Sequence, residues 1–204
     1  MKRFTAISTT AVAATLFLAG CGSDTGSETT EGTMLGMDHG SMSASPSAAA
    51  SDAADHNSAD AMFAQMMIPH HEQAVEMSDI MLAKDGLDPQ IIQLAEDIKA
   101  AQGPEIEKMT GWLQAWGEPM EMSGDHAMEG MMSPDDLAAL EAAQGDDAAR
   151  MFLTQMIAHH EGAVAMAEEE SANGQNADTV ALAETVIADQ SAEIEKMKDL
   201  LANL

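Results

Sequence analysis

Apolar residues recur every three or four positions along two stretches of the chain, which is the spacing of one face of an α-helix. The first face carries Phe63, Met67, His70, Ala74, Met77 and Met81. The second face carries Ile91, Leu94, Ile98, Gln102, Ile106, Met109 and Leu113. Gly86 and Asp88-Pro89 lie between the two faces and indicate the end of one helix and the start of the next. Gly103-Pro104 predicts a kink or a local break in the second helix.

An internal repeat predicts the same pair of helices a second time. Residues 62–77 align without gaps on residues 151–166, and both segments contain the pattern Met-Ile-x-His-His-Glu. The run Glu-Ile-Glu-Lys-Met follows in each copy, at 105–109 and again at 193–197. Each repeat is therefore expected to contain two helices, the first of which carries a pair of adjacent histidines.

The helices of the second copy are predicted from about Asp147 to Ser171 and from Asp178 to about Ala202. Asn173-Gly174 supplies the turn between them. A further short helix, from Asp135 to about Gln144, is predicted after Ser133-Pro134. The predicted elements are thus helices throughout, joined by short turns.

Two helical hairpins with apolar faces can bury those faces only against each other. We therefore expect one all-α domain, a four-helix bundle, over residues 58–204. Its repeats cover residues 58–116 and 147–204, and a linker rich in Met and His, residues 117–146, joins them.

The N-terminus has the features of a secretory signal. Two basic residues precede a short apolar run from Phe4 to Gly20, which is typical of a signal peptide rather than a spanning helix. The sequence Leu-Ala-Gly-Cys at 18–21 resembles the bacterial lipobox, where cleavage precedes a cysteine that carries lipid. We expect a signal peptide over residues 1–20, a lipid anchor at Cys21, and a mature protein outside the cytoplasm on the cell membrane. Residues 21–57 are rich in small and polar residues, which predicts a flexible tether.

Composition excludes several classes of protein. The chain has 35 acidic residues against 8 Lys and Arg, and its net charge of −27 would repel nucleic-acid phosphates. A single cysteine excludes a disulfide scaffold. Four Phe, two Trp and no Tyr leave the core to aliphatic residues and methionine. The 19 methionines are the feature that a function has to explain.

The paired histidines suggest metal binding. Neighbouring residues on a helix point about 100° apart, so the two histidines of a pair have separate partners. Imidazole and thioether form a soft, largely neutral ligand set that suits Cu(I) or Ag(I). Core packing explains any single methionine, but four histidines on apolar helices favour a metal role. The candidate ligands are His70, His71, His159, His160, Met67, Met77, Met109, Met156, Met166 and Met197.

Two polar segments outside the predicted long helices are also rich in Met and His. One lies in the tether and the other in the linker, where there is little core to fill. We expect these residues to act as secondary, weaker capture sites for the same metal ions. They are Met34, Met37, His39, Met42, Met120, Met122, His126, Met128, Met131 and Met132. The acidic surface would concentrate cations of any kind.

These motifs resemble those of a family of domains of unknown function, DUF305. The resemblance rests on Met67-Ile68-Pro69-His70-His71-Glu72, on Gly130-Met131-Met132-Ser133 and on residues 152–167, and it covers Ser58 to Leu204. It implies a ferritin-like four-helix bundle of the kind found in secreted or envelope proteins. Some members are linked to copper or silver binding and resistance, which supports a metal role for both histidine pairs and their neighbouring methionines.

The sequence thus predicts an envelope lipoprotein, without enzymatic activity, that binds Cu(I) and Ag(I) for sequestration, tolerance or delivery to envelope copper-handling proteins. A ferritin-like di-metal oxidase is an alternative, but such sites use Glu-x-x-His motifs, and no histidine of the two pairs has a glutamate three residues before it. Glu105 and Glu193 lie near the core face and keep this alternative open. A lipoprotein that binds a partner protein and no metal is the third possibility.

Overall fold

The computed structural model describes residues 55–122 and 128–204, and this part of the chain forms five α-helices and no strand. The helices are α1 Ser58–Leu82, α2 Pro89–Trp116, α3 Pro134–Ala142, α4 Gly145–Asn173 and α5 Ala177–Asn203. The predicted all-α fold is confirmed, and each predicted helix is present. Gly86 lies in the turn after α1 rather than at its end. None of these five helices combines the length and apolar character that crossing a bilayer requires.

Side-chain caps define where four of the five helices begin, and α4 has no such cap. The Asn57 side chain accepts bonds from the first amides of α1, and the Asp60 carboxylate accepts one from the Asn57 amide, which completes a capping box. Asp88 caps α2 in front of its N-terminal proline, Ser133 forms a second capping box at α3, and Asn176 caps α5. Each cap satisfies backbone amides that have no partner inside the helix.

The proline inside the second helix does not break it. α2 is continuous through Gly103 and Pro104, so of the two expected outcomes, a kink or a local break, the local break is wrong. Because proline lacks an N–H, the carbonyl of Ala100, four residues earlier, has no helical partner. Ala100 and Pro104 are both exposed, and water can satisfy that carbonyl at the surface. The helix therefore continues past the proline.

The helices pack as two hairpins that meet through their first helices. α1 lies against α2, α4 lies against α5, and α1 and α4 lie against each other. The short α3 contacts both α1 and α4. The two helices that carry the histidine pairs therefore form the central contact of the domain.

Buried apolar side chains form two clusters at opposite ends of this central contact. The Met81 cluster takes its buried residues from positions 74–81, 91–98, 148–156 and 194–197, with Leu87 and Leu140. The Phe63 cluster takes them from positions 61–68, 109–113, 163–167 and 182–186. The order of the clusters along α1 is the reverse of their order along α4, so the two helices run antiparallel. Between the clusters, all four long helices become polar.

Candidate metal centre

A layer of buried polar side chains separates the Met81 cluster from the Phe63 cluster. This histidine layer consists of His70, His71, Gln102, His159, His160 and Gln190. The four histidines are completely buried, and the two glutamines are 2% and 4% exposed. Each repeat supplies two histidines and one glutamine at equivalent positions. The layer is therefore duplicated across the contact between α1 and α4.

The inner histidines of the layer face each other. The ring centroids of His70 and His159 lie 3.7 Å apart, with the ring planes at 38°. Burial, together with the neighbouring imidazoles, lowers the pKa of His70 to about 3 and that of His159 to about 2. The backbone of Glu129 acts to raise the pKa of His70, but this effect is smaller than the lowering by burial. Both rings are therefore neutral at neutral pH, and each has one nitrogen lone pair available.

The outer histidines each bond to a glutamate of their own hairpin. His71 Nε2 lies 2.8 Å from Glu105 Oε2, and His160 Nε2 lies 2.8 Å from Glu193 Oε2. A carboxylate can only accept, so Nε2 is the donor in both pairs. In the neutral ring this leaves Nδ1 with a free lone pair directed away from the glutamate. A carboxylate on the far nitrogen is the arrangement that orients histidine ligands of metals.

Several nitrogen and oxygen atoms of the histidine layer have no hydrogen-bond partner. They are both ring nitrogens of His70 and of His159, Nδ1 of His71 and of His160, and the amide oxygens of Gln102 and Gln190. A buried polar atom without a partner costs about 1–3 kcal/mol, so folding leaves this layer with a substantial deficit of polar contacts. Neutral nitrogen donors of this kind suit soft and borderline metal ions.

The six candidate methionines of the helices divide evenly between the two sides of the layer. Met67, Met109 and Met166 lie in or against the Phe63 cluster. Met77, Met156 and Met197 lie in the Met81 cluster. All are fully buried except Met166, which is partly buried. Thioethers thus pack in the apolar core on both sides of the buried imidazoles, although many of these contacts are also ordinary core packing.

The linker is docked against the helices that carry the histidines. The Gln73 side chain donates to the Met132 carbonyl at 2.9 Å and accepts from the Met132 amide at 2.7 Å. On the opposite side, the turn at Glu129 and Gly130 lies against α4 at Gly162. Gly130 has a φ of 84°, and a side chain there would come within 2.7 Å of a carbonyl of α4. Gln73 and Gly162 occupy equivalent positions of the two repeats.

The sequence profile of a domain of unknown function, DUF305, matches residues 60–201, which is more than half of the chain. The chain belongs to the DUF305 family. The resemblance noted from its motifs is thereby confirmed. No curated protein matches the chain.

Solved DUF305 structures share the fold of this chain. A DUF305 protein from Streptomyces coelicolor is 35% identical, with a TM-score of 0.68, and the match covers 71% of this chain and 93% of that one. A DUF305 fragment from Deinococcus radiodurans is 30% identical, with a TM-score of 0.66, over 72% and 98% of the two chains. CopM in its Cu(I)-bound form is 36% identical, with a TM-score of 0.60, over 71% and 96%. CopM has also been solved bound to Cu(II) and to silver.

The other predicted metal residues of this DUF305 chain are not part of the histidine layer. Met120, Met122 and Met128 lie along the linker at the surface of α1, and Met131 is half-buried. Met132 packs against the Met81 cluster, so core packing accounts for it where none was expected. The tether residues Met34, Met37, His39 and Met42, the linker residue His126 and the lipidation site Cys21 lie outside the described residues. In the described part, no three His, Cys, Asp or Glu side chains are arranged to hold one ion.

Sequence reasoning missed a buried pair of carboxylates at the end of the DUF305 domain beyond the Phe63 cluster. Asp60 is completely buried and accepts bonds from the amides of Asn57 and Gln175 and from the Thr179 hydroxyl at 2.7 Å. Burial opposes ionisation of Asp60, but these donors lower its pKa. Glu170 is 2% exposed, and burial together with contact to Asp60 raises its pKa to about 7. At mildly acidic pH Glu170 is therefore protonated, which avoids two neighbouring buried negative charges.

Proposed function

We propose that this DUF305 protein binds soft monovalent metal, Cu(I) and also Ag(I), through the imidazoles of the histidine layer and neighbouring thioethers. The observation that carries the proposal is that each of the four buried imidazoles has a nitrogen lone pair without a hydrogen-bond partner. Metal coordination would satisfy atoms whose burial otherwise only costs free energy. The proposal is supported by the copper-bound and silver-bound forms of CopM, which are 34–36% identical to this chain.

The chain's own residues prepare the donors. Burial keeps the inner imidazoles neutral, so they offer lone pairs rather than positive charge to a cation. Glu105 and Glu193 hold the outer rings through Nε2 and leave Nδ1 available. Thioether sulfur carries no proton, so it binds metal without releasing one. Together these groups form a soft donor set from which water is excluded.

The metal is cargo rather than a cofactor of a reaction, and we propose no enzymatic activity. The proposal places the protein outside the cytoplasm, anchored through Cys21, with the tether methionines and His39 as secondary capture sites. Its role there is copper sequestration, tolerance or delivery to other envelope proteins. We also propose that the four long helices form a ferritin-like four-helix bundle.

The test uses the mature chain, residues 21–204, with Cys21→Ser so that it is purified without lipid. Cu(I) is added without oxygen in the presence of a colorimetric Cu(I) chelator, and the metal retained per chain is measured. In the test variant His70, His71, His159 and His160 are replaced by Gln. The control is His56→Gln, because His56 stacks on Trp116 and bonds to Glu118, outside the histidine layer.

We expect the four-histidine variant to lose tightly held Cu(I) and the control to retain it. Circular dichroism is used to check that both variants keep their helix content. Retention of all Cu(I) by the four-histidine variant would contradict the proposal. Fe(II) uptake with oxygen consumption would instead favour the di-metal oxidase. If no metal is retained by the unaltered chain, a partner-binding lipoprotein is favoured.

A further inference from the structure

A cleft outside the histidine layer is lined by four methionines that come from two separate parts of the chain. Met66 comes from α1, and Met120, Met122 and Met128 come from the linker. The cleft has a volume of about 320 Å³, and Ile68, Pro69 and Glu72 form part of its wall. That wall belongs to the turn of α1 that carries His70 and His71.

Core packing does not account for these methionines. None of the four belongs to the Met81 cluster or to the Phe63 cluster. Met120 is 40% exposed, and the other three are half-buried. Each of these four residues is therefore partly accessible from solvent. A methionine outside the core gains less from the hydrophobic effect than a fully buried one, so four of them around one cleft call for another explanation.

The cleft is built by features that only the first repeat has. The residue equivalent to Met66 in the second repeat is Gln155, which offers no sulfur. Gln65, beside Met66, donates a hydrogen bond to the carbonyl of Pro119 at 2.8 Å and holds the start of the linker against α1. This contact brings the methionines of the linker to the side of the helix where Met66 lies.

The charges around the cleft favour a cation. Glu72 and Glu121 line it, both are exposed, and no lysine or arginine is among its lining residues. Carboxylates at the rim attract cations in general, whereas thioether sulfurs discriminate in favour of soft ones. The combination selects a monovalent soft ion over the hard divalent ions that oxygen ligands prefer.

We propose that Met66, Met120, Met122 and Met128 form a second soft-metal site, made of thioethers, at the surface of the domain. The site takes Cu(I) or Ag(I) directly from solvent, without any histidine. It rests on the soft-metal function proposed above, but it is a separate site. Its position against the α1 turn of His70 and His71 places it on the outer side of the buried layer.

The experiment titrates the same mature chain with Ag(I), a soft monovalent ion that does not change oxidation state under these conditions. Methionine methyl groups labelled with ¹³C report each residue by NMR, and bound silver per chain is measured separately. In the test variant Met66, Met120, Met122 and Met128 are replaced by Leu, which preserves volume and apolar character. Met151→Leu is the matched control. Met151 lies on α4, where it is equivalent to Met62 of α1, and it does not line this cleft.

We expect Ag(I) to shift the methyl signals of all four cleft methionines together, and the test variant to bind about one Ag(I) fewer per chain than the control. Unchanged signals for these four residues in the unaltered chain would overturn the second site, and this result does not depend on the folding of any variant. If the four-histidine variant loses metal while the four-leucine variant loses none, the cleft proposal fails and the proposed function stands. If only the four-leucine variant loses metal, the cleft is supported and the histidine site fails.

Discussion

The two repeats place the same side chains in the middle of the molecule and unlike side chains at its ends. At the end of the molecule formed by the Met81 cluster, three of the positions are buried and apolar: Met81, Ile91 and Ala149. The equivalent positions at the opposite end are occupied by Glu170, Thr179 and Asp60. One end is therefore closed by apolar packing, and the other by buried polar side chains, of which Thr179 donates a hydrogen bond to Asp60.

This difference changes what each end requires in order to be stable. Apolar side chains are stabilised by burial itself, and exchanging one for another of similar volume has a small effect. Buried polar groups are stable only while each has its partner, because an unpaired one keeps its full desolvation cost. We therefore expect the polar end to be sensitive to single substitutions and to pH, and the apolar end to be much less so.

The largest effect is expected from Asp60→Ala. The substitution removes the acceptor of the Gln175 amide and the Thr179 hydroxyl, both of which bond to the Asp60 carboxylate. It also removes one half of the capping box of α1. We expect the free energy of unfolding to fall by about 4 kcal/mol, as measured by urea denaturation.

Converting the whole polar end into the apolar one tests the reason for this loss. Asp60→Ala combined with Glu170→Met and Thr179→Ile reproduces the residues of the opposite end. Because a buried polar network can often be exchanged for well-packed apolar side chains without loss, this triple variant should recover most of the stability. A triple variant that is less stable than Asp60→Ala alone would show that the two ends are not interchangeable.

The next largest effect is expected at the contact between the linker and the histidine-bearing helices, because the two repeats form this contact in different ways. A Cβ at Gly162 would overlap the carbonyl of Glu129, whereas the equivalent Gln73 bonds to the linker through its side chain. Gly162→Ala should therefore displace the linker and lower the free energy of unfolding by about 2–3 kcal/mol. Gly111→Ala is the control, because nothing lies within 4 Å of the added methyl group, and it should be neutral or slightly stabilising.

A third prediction concerns the part of the molecule that the repeats share. Glu105→Gln and Glu193→Gln remove the carboxylates that orient His71 and His160. Each should weaken Cu(I) binding by about 10–100-fold in chelator competition, because partners of metal-bound histidines have effects of this size. The loss of Cu(I) affinity should be the same in both variants. A loss confined to one of them would place the buried metal site in a single repeat.

The features of this molecule that arise from local sequence patterns could be predicted, whereas those that arise from helix packing could not. The helices, the repeat and the burial of His70 and His159 follow from periodicity and duplication, which involve residues a few positions apart. Glu105 reaches His71 across 34 positions, and Gln73 reaches Met132 across 59. Such contacts depend on how the helices pack, so no local pattern reveals them.

The buried carboxyl groups at the polar end show the same limit of prediction from sequence. Glu170 lies at a buried position of α4, yet a glutamate in sequence gives no sign that it is buried. Its partner Asp60 reads as an ordinary residue of the first turn of a helix, where acidic side chains are common. The repeat alignment contains the signal that could have found them, since it matches Glu170 with Met81, which lies on the apolar face of α1.

The smallest effect is the pH dependence of the polar end. The pKa of Glu170 is raised from 4.5 to about 7 by burial and by the Asp60 carboxylate. Between these two pH values the folded protein binds a proton at Glu170 that the unfolded chain does not bind. The stability from this group is complete below about pH 4.5 and is lost as the pH rises through about 7. Glu170→Gln stays neutral and should not lose it.

The comparison of Glu170→Gln with the unaltered protein isolates this contribution. The lowered pKa values of His70 and His159 act in the opposite direction, because the unfolded chain binds protons there below about pH 6.5 and the folded protein does not. That effect is common to both proteins and cancels in their difference. The stability of the unaltered protein relative to Glu170→Gln should therefore fall by about 1–2 kcal/mol from pH 6 to pH 8, measured by urea denaturation without metal. A difference that stays constant across this range would mean that Glu170 does not change its protonation on folding, and that the polar end responds to pH no more than the apolar one.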